Sequence, residues 1–419
     1  LLYATKVKLG FPPREFTIQI DTRNDVLWVN YNPCIGCSHS NGVGVRIIFF
    51  DTTSSSTAAL VHCSDPICPL AVKGAQVKCS HKDKHNQCNY SFLFQDDSTT
   101  SGFYIFDDMY FHKIIGKSSP TSVNSSTTIL FGCSTHVSGI LTKTATAIDE
   151  IFGFGPSDVS VVSQLSSQGK TPKVFSHCLK GNGKGGGILV IGEILEPSIV
   201  YSPMVPLQYH YVLKLHSISV NGYLLSINPA VFATSYDQGI AVDSGTTLAY
   251  LIQEAYDPLV NAITTAVSHL GSHAISEGSP CCLVSTNIDI FPSVNFNFVG
   301  GAPMVLKPAQ YLVRNDFMVC IEFASTWCIG FQKTQGGPSM LGDLVLKDRI
   351  VVYDLDNQRI GWTDYDCSMP VNISVTRSKD KKINRRTKRS GASSLEIRIL
   401  NTLLHVTFVA FLMHILYSS

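Results

Sequence analysis

Charge is scarce in this sequence. Asp, Glu, Lys and Arg make up 15% of its 419 residues, and the two signs nearly cancel to a formal net charge of +1. A surface so balanced has no field to draw a polyanion onto the chain as a whole, which argues against nucleic acid as a partner. Helical periodicity is scarce too. Ala255 to Leu270 is the clearest helix, with apolar residues at helical spacing through Leu259, Ile263, Val267 and Leu270, and one such stretch in a chain of this length argues against a helical bundle. No long apolar run occurs before Ile399. A phosphate-binding loop is missing as well. Lys180 to Gly187 is glycine-rich but lacks the Walker spacing, and it leads into Ile188-Leu189-Val190-Ile191, a strand pattern rather than a helix. It reads as a hairpin turn.

What is present is a large apolar content in short pieces. Hydrophobic residues make up 44% of the chain and aromatics 10%, mostly as Val/Ile/Phe/Tyr runs broken by Gly, Ser, Asn and Pro. That pattern predicts a mostly β body, and the length suffices for two domains. Residues 1–32 read as strand, Pro-turn, strand, turn, strand. Asn89 to Ile105 reads as a hairpin with aromatic strands around a polar tip, either a plain surface hairpin or a flap over a cleft. Thr128 to Cys133 reads as a buried strand, Val161 to Leu165 as the start of a short helix, and Glu193 to Pro206, with three prolines, as a crossing between lobes. The folded body is expected to end near Cys367.

Thirteen cysteines, many in loop-like contexts, point to disulfides and a secretory history. The count is odd, so at least one thiol is unpaired within the chain. Cys34-Ile35-Gly36-Cys37 has the spacing of half a zinc site, but no second pair matches it, and a local disulfide loop is the expectation. No metal or other cofactor is expected. Sequons at Asn89, Asn124 and Asn372 fit the same compartment. Starting at Leu1 without a leader, the sequence is expected to be a fragment or processed form. Residues 377–389 hold eight Lys/Arg and one acid, a solvated stem or a patch for anionic polysaccharide or lipid. Ile399 to Tyr417 is long enough to span a bilayer. Its positive flank is N-terminal, which conflicts with a secreted body. A lipid-anchor signal, with Ser390-Gly391-Ala392-Ser393-Ser394 at the attachment site, resolves that conflict better than a retained span.

The organising feature is a repeat. Phe16-Thr17-Ile18-Gln19-Ile20-Asp21-Thr22 runs on to Val26-Leu27-Trp28-Val29, and 222 positions later Gly239-Ile240-Ala241-Val242-Asp243-Ser244-Gly245-Thr246 runs on to Leu248-Ala249-Tyr250-Leu251. One such stretch alone is a turn residue capping a strand. Two in similar halves predict paired carboxylates at the junction of the halves.

These two motifs, Trp28 after the first, the flap-like hairpin, and the apolar-Gly strands at Phe131-Gly132, Phe152-Gly153 and Leu341-Gly342 resemble the pepsin-like aspartic proteases. The Cys-rich stretch 34–88 and runs such as Phe175-Ser176-His177-Cys178-Leu179 are similar to the plant nucellin/nepenthesin-type branch. The resemblance covers about residues 3–368. It implies an all-β, bilobal fold with a cleft between lobes, here an N-terminal lobe (1–198), a C-terminal lobe (199–368), a basic stem (369–398) and the apolar tail (399–419). It implies a monomer that cleaves peptide or protein substrates at acid pH without a cofactor, at the cell surface or outside the cell and tethered to membrane by the tail. Asp21 and Asp243 would share one proton and activate water. Thr22 and Ser244 would lock the loops together. Gly245, Thr246 and Asn24 would donate to the carboxylates, and Phe94 would sit at the flap near Trp28.

The chain departs from the family pattern at several places. Arg23 stands where Gly is expected, so the first turn is expected to be strained, and a guanidinium there is expected to favour ionisation of both aspartates. Phe94 replaces a Tyr whose hydroxyl would bond Trp28. Gln95 and Asp97 replace the flap glycines, Tyr31 replaces a Cys, and Glu150 replaces a Gly.

Overall fold

A computed structural model describes residues 3–374, apart from 41–45, 69–85, 95–96, 116–120, 143–150, 182–184, 233–238, 271–272, 277–278, 285–286, 316–324 and 335–337. Gln95, Glu150, the basic stem from residue 375 on and the apolar tail lie outside the described residues.

Alternation makes the strands. In Val294–Phe298, Val294, Phe296 and Phe298 are buried while Asn295 and Asn297 between them are half-buried, and the antiparallel partner Ala302–Leu306 alternates in the same sense. Period-2 burial of this kind puts one face of each sheet into a core. An eight-stranded sheet takes all its strands from Ala4 to Gly153, and a contact between Ala4–Leu9 and Thr99–Ile115 closes it back on itself. The strand expected at Thr128–Cys133 is the interior of a longer one, Thr121–Ser138, paired along its length with Thr99–Ile115. Exposed Thr121 to Asn124 carry that ladder beyond the core, so apolar content alone did not mark its ends. The expected helix forms as Gln253–Ala266, burying Ala255, Tyr256, Leu259, Val260 and Ile263.

The repeat is structural as well as sequential. The strand Arg14–Asp21 lies parallel to Ile151–Gly153, with Ile20 opposite Phe152. Ile240–Val242 lies parallel to Ser339–Leu341, with Val242 opposite Leu341. The returning strands match too: Trp28 faces Ile151, and Tyr250 faces Met340. The offset of 222 therefore holds from Asp21 through Trp28. Beneath each loop is a glycine with no room for a side chain. A Cβ on Gly153 would meet Val26 backbone at 2.5 Å, and one on Gly342 would meet the carbonyl oxygens of Thr246 and Leu248 at 2.3 Å.

The two halves share a base. A five-stranded sheet runs in the order Gly187–Val190, Val174–Leu179, Arg349–Asp354, Arg359–Asp364, Val200–Pro203. The first pair brackets the glycine-rich segment as a hairpin, as its sequence predicts. Aromatic rings connect this sheet to the Asp-bearing loops. Phe152, Phe154, Phe175 and Tyr353 follow at centroid spacings of 4.5, 4.9 and 4.4 Å, and Tyr211 donates to the Phe154 carbonyl at 2.6 Å. Pairing extends past Cys367, since Asn372–Ile373 adds to Ile194–Leu195.

Disulfides join Cys34 to Cys37, Cys68 to Cys88, Cys178 to Cys367 and Cys281 to Cys328, and Cys63 is also disulfide-bonded. The Cys34–Cys37 bond removes the zinc alternative at that pair. Cys133 is a buried thiol. Tyr31, where a Cys was expected, packs edge-on to Phe103 with its hydroxyl 3.2 Å from Thr52 Oγ1. Among the described residues no group of His, Cys, Asp and Glu is arranged to hold a metal, and no helix is long and apolar enough to cross a membrane.

His177, fully buried in the base sheet beside Tyr353, is pushed by burial down to about 3. The folded state holds it neutral, whereas the unfolded chain protonates it near 6.5. Its contribution to stability is therefore lost as pH falls below about 6.5, by up to about 1.4 kcal/mol per unit until the folded-state value is reached. Thermal unfolding of His177→Gln between pH 4 and 7 should show a flatter acid limb than the native chain; an identical limb would refute this.

Candidate active site

Asp21 ends the strand Arg14–Asp21 and Asp243 follows Ile240–Val242, so equivalent strands deliver both carboxylates to one junction. They are 5% and 2% exposed. Each loop folds back onto its own carboxylate. The N–H groups of Arg23 and Asn24 donate to Asp21 Oδ1 at 2.8 and 3.0 Å, and Asn24 Nδ2 donates to Oδ2. The Gly245 N–H donates to Asp243 Oδ1 at 2.8 Å, and Thr246 Oγ1 donates to Oδ2 at 2.7 Å. Charge-assisted bonds to both oxygens fix the plane of each group.

The loops also grip each other. Thr22 Oγ1 donates to the Val242 carbonyl at 3.2 Å and accepts from the Ser244 N–H at 3.0 Å. Ser244 Oγ donates to the Ile20 carbonyl at 3.1 Å. Each hydroxyl thus bonds the residue preceding the other half's aspartate. Both side chains are fully buried, where leaving such groups unpaired would cost about 1–3 kcal/mol each.

The expectation that Arg23 strains the first turn is not met. Arg23 donates its N–H to Asp21 at the same 2.8 Å as Gly245 does to Asp243, and neither residue has positive φ. The position calls for glycine because of space, not backbone conformation. A Cβ on Gly245 would lie 2.6 Å from Asp21 Cγ, so the second loop closes down on the first carboxylate. On the other side of the pseudo-symmetric pair, Arg23 sends its guanidinium to the second half, where Nη1 lies 3.2 Å from Met340 Sδ.

Nor does Arg23 abolish the raised pKa that a shared proton requires. Burial and then the charge of Asp21 push Asp243 up to about 6, outweighing the lowering by Thr246, Arg23 and Gly245. Two close carboxylates in a dry site resist double ionisation even with a cation nearby.

Phe94 packs in the cluster formed by Trp28, Cys37, Val137 and Ile151. It lacks a hydroxyl, and the buried Trp28 Nε1 has no hydrogen-bond partner among the described residues. At the hairpin tip Asp97 adopts φ 61°, a left-handed conformation that Asp tolerates and Gly favours.

Three neighbours escaped the sequence reading. Asp343 is fully buried with neither carboxyl oxygen bonded among the described residues, and burial, followed by the charge of Asp243, holds it well above the usual carboxylate range. Its signal was the Gly-Asp after an apolar strand. Met340 and His210 had no signal in their own types; only the fold brings them to Arg23.

Paired β halves gripping one another through matched aspartate loops define the pepsin-like aspartic proteinase architecture. Family models described as "Xylanase inhibitor N-terminal" and "Xylanase inhibitor C-terminal" match residues 3–193 and 210–364. Aspartic proteinase 36 of Arabidopsis thaliana is 36% identical over 417 residues, spanning 98% of this chain and 83% of its own. Aspartic proteinase nepenthesin-1 of Nepenthes gracilis is 23% identical over 381 residues, spanning 87% and 78%. The crystal structure of edgp superposes with a TM-score of 0.69 at 17% identity, covering 88% of this chain and 92% of its own, and shows the fold. The chain belongs to the pepsin-like aspartic proteinase family, whose substrates are peptides and proteins.

Adding a hydroxyl to Phe94 tests its contact with Trp28. Phe94→Tyr should raise unfolding stability by about 1 kcal/mol if the hydroxyl accepts from Trp28 Nε1. Denaturant midpoints compare the two chains, and an unchanged midpoint with an unchanged slope would refute the contact.

Proposed function

We propose that this protein is an aspartic endopeptidase of the secretory pathway that hydrolyses peptide bonds in acid, with Asp21 and Asp243 activating one water between them. The observation that carries this reading is the crosswise grip, which holds two buried carboxylates in matched frames of donors. In the protonated state one Asp hydrogen polarises the scissile carbonyl while the other, ionised carboxylate takes a proton from water. The pair titrates as a unit, and the raised Asp243 places its upper limb near pH 6. Four described disulfides support an oxidising compartment, and attachment to membrane through the apolar tail is part of the proposal.

A second reading, a catalytically impaired member that binds peptide or protein in the cleft, is favoured by two observations. Arg23 places a guanidinium beside the pair, and the Trp28 indole lacks the flap partner. The inhibitor description carried by both matching family models is in keeping with a binding role.

Cleavage of a denatured protein substrate separates the two. Native protein should be active at about pH 3–5, fall off as pH rises through about 6, and lose at least a thousandfold with Asp243→Asn. Arg23 lowers the Asp243 pKa, so Arg23→Gly should move the upper limb to higher pH. An inert native protein that gains activity with Arg23→Gly would establish the second reading instead.

A further inference from the structure

The Asn-x-Ser pattern at Asn89, Asn124 and Asn372 is one that usually marks a surface loop. All three asparagines lie instead on strands: Asn89–Leu93, Thr121–Ser138 and Asn372–Ile373. Successive residues of a strand face opposite ways, so one can be open to solvent while the next is fully buried. Whether the fold can carry a bulky sugar at each position is therefore decided by the face on which the asparagine falls.

Asn124 falls on an open face. Residues 121–125 pair with 111–115, and Asn124 stands opposite His112. No third strand flanks this part of the ladder among the described residues. Asn124, Ser126 and Thr128 are exposed, whereas Thr127 and Ile129 between and beyond them are buried. The acceptor amide and the hydroxyl two residues on, which the motif requires, thus share one solvent face. The Asn124 side chain makes no hydrogen bond among the described residues. On the same ribbon Val123 and Ile115 are 45% and 42% exposed. Unpaired ribbon edges beside exposed aliphatic side chains invite association with other chains, and a large hydrated group there obstructs it.

Asn372 is exposed too, opposite the exposed Leu195. The backbone at this point is held without its side chain, by the strand pairing and by the Ser374 N–H donating to the Glu193 carbonyl at 2.9 Å. Asn89 differs from both. It is half-buried and engaged within the fold, as is its strand, which pairs along Thr99–Ile115. It sits between Cys88, fully buried and bonded to Cys68, and Tyr90, also buried. A sugar on Asn89 would have to displace packing next to a disulfide.

We propose that, on passing through the secretory pathway, the chain is N-glycosylated at Asn124 and Asn372, and that the folded protein is bare at Asn89. In each modification the amide nitrogen attacks the anomeric carbon of an oligosaccharide carried on a lipid diphosphate. The nitrogen–carbon bond forms as the carbon–oxygen bond to the diphosphate breaks. The diphosphate leaves with the bonding pair, and the amide nitrogen gives up one proton. This modification requires the secretory compartment proposed above and is independent of cleavage.

The test expresses the full chain behind a secretory leader in a eukaryotic host and compares the folded product before and after glycosidase treatment. Asn124→Gln and Asn372→Gln should each remove one step of gel mobility. Ser126→Ala should remove the same step as Asn124→Gln while keeping the asparagine, so a folding defect in one variant does not decide the outcome. Asn89→Gln and Ser91→Ala should remove none. Enzymatic release in heavy-oxygen water should mass-label Asn124 and Asn372 and leave Asn89 unlabelled. A label on Asn89, or a mobility unchanged by loss of the Asn124 or the Asn372 motif, would overturn the assignment. Protein from its own tissue that lacks glycans, beside a host product modified at Asn124 and Asn372, would defeat the secretory reading and uphold the assignment.

Discussion

Two buried hydroxyls set the geometry on which the site depends. Thr22 reaches across to the Val242 carbonyl and Ser244 reaches back to that of Ile20. Each bond is modest in water, but in a dry junction a lost partner leaves the other group stranded, so the two loops move together or not at all. The carboxylates are fixed because the strands carrying them are fixed. The aromatic stack beneath extends this rigidity to the base sheet, and the Tyr211 hydroxyl ties the second half to the Phe154 carbonyl of the first.

Upon this symmetric frame lies an asymmetric chemistry. Gly245 lets the second loop press onto Asp21, while Arg23 carries a long cation away from the equivalent point. The competition at Asp243 is decided by burial and the neighbouring aspartate, with the guanidinium a smaller opposing effect. Such a balance holds a proton in the pair up to mildly acid pH.

The sequence disclosed the repeat, the strand character, the hairpin from Asn89 to Ile105 and the helix at Gln253–Ala266, because each rests on local period or on a residue type with few alternatives. Thr246 and Asn24 fall where the motif implied, bonded to the outer carboxylate oxygens. What it concealed are facts of long-range geometry. That Arg23 fits follows from where the second half lies, and a turn motif read alone predicted strain instead. The role of Gly245 as clearance rather than conformational freedom is likewise visible only against Asp21. Asp343, His210 and Met340 carry no local pattern marking them as neighbours of the pair. The ends of Thr121–Ser138 were hidden because exposed polar residues can keep a ladder going without adding to the core.

The shared base sheet has a consequence for how such a molecule can arise and be made. Its central pair joins Val174–Leu179 to Arg349–Asp354, and the Cys178–Cys367 bond closes a separation of 189 residues across the same region. Chain synthesis delivers the first of these strands long before the second. Until then Val174–Leu179, buried along all six residues in the finished fold, has an open edge on one side. In the finished fold that edge is covered by Arg349–Asp354 from the far end of the chain. Although the halves look like duplicates, cutting the chain between them would separate two strands that pair with each other in the base sheet.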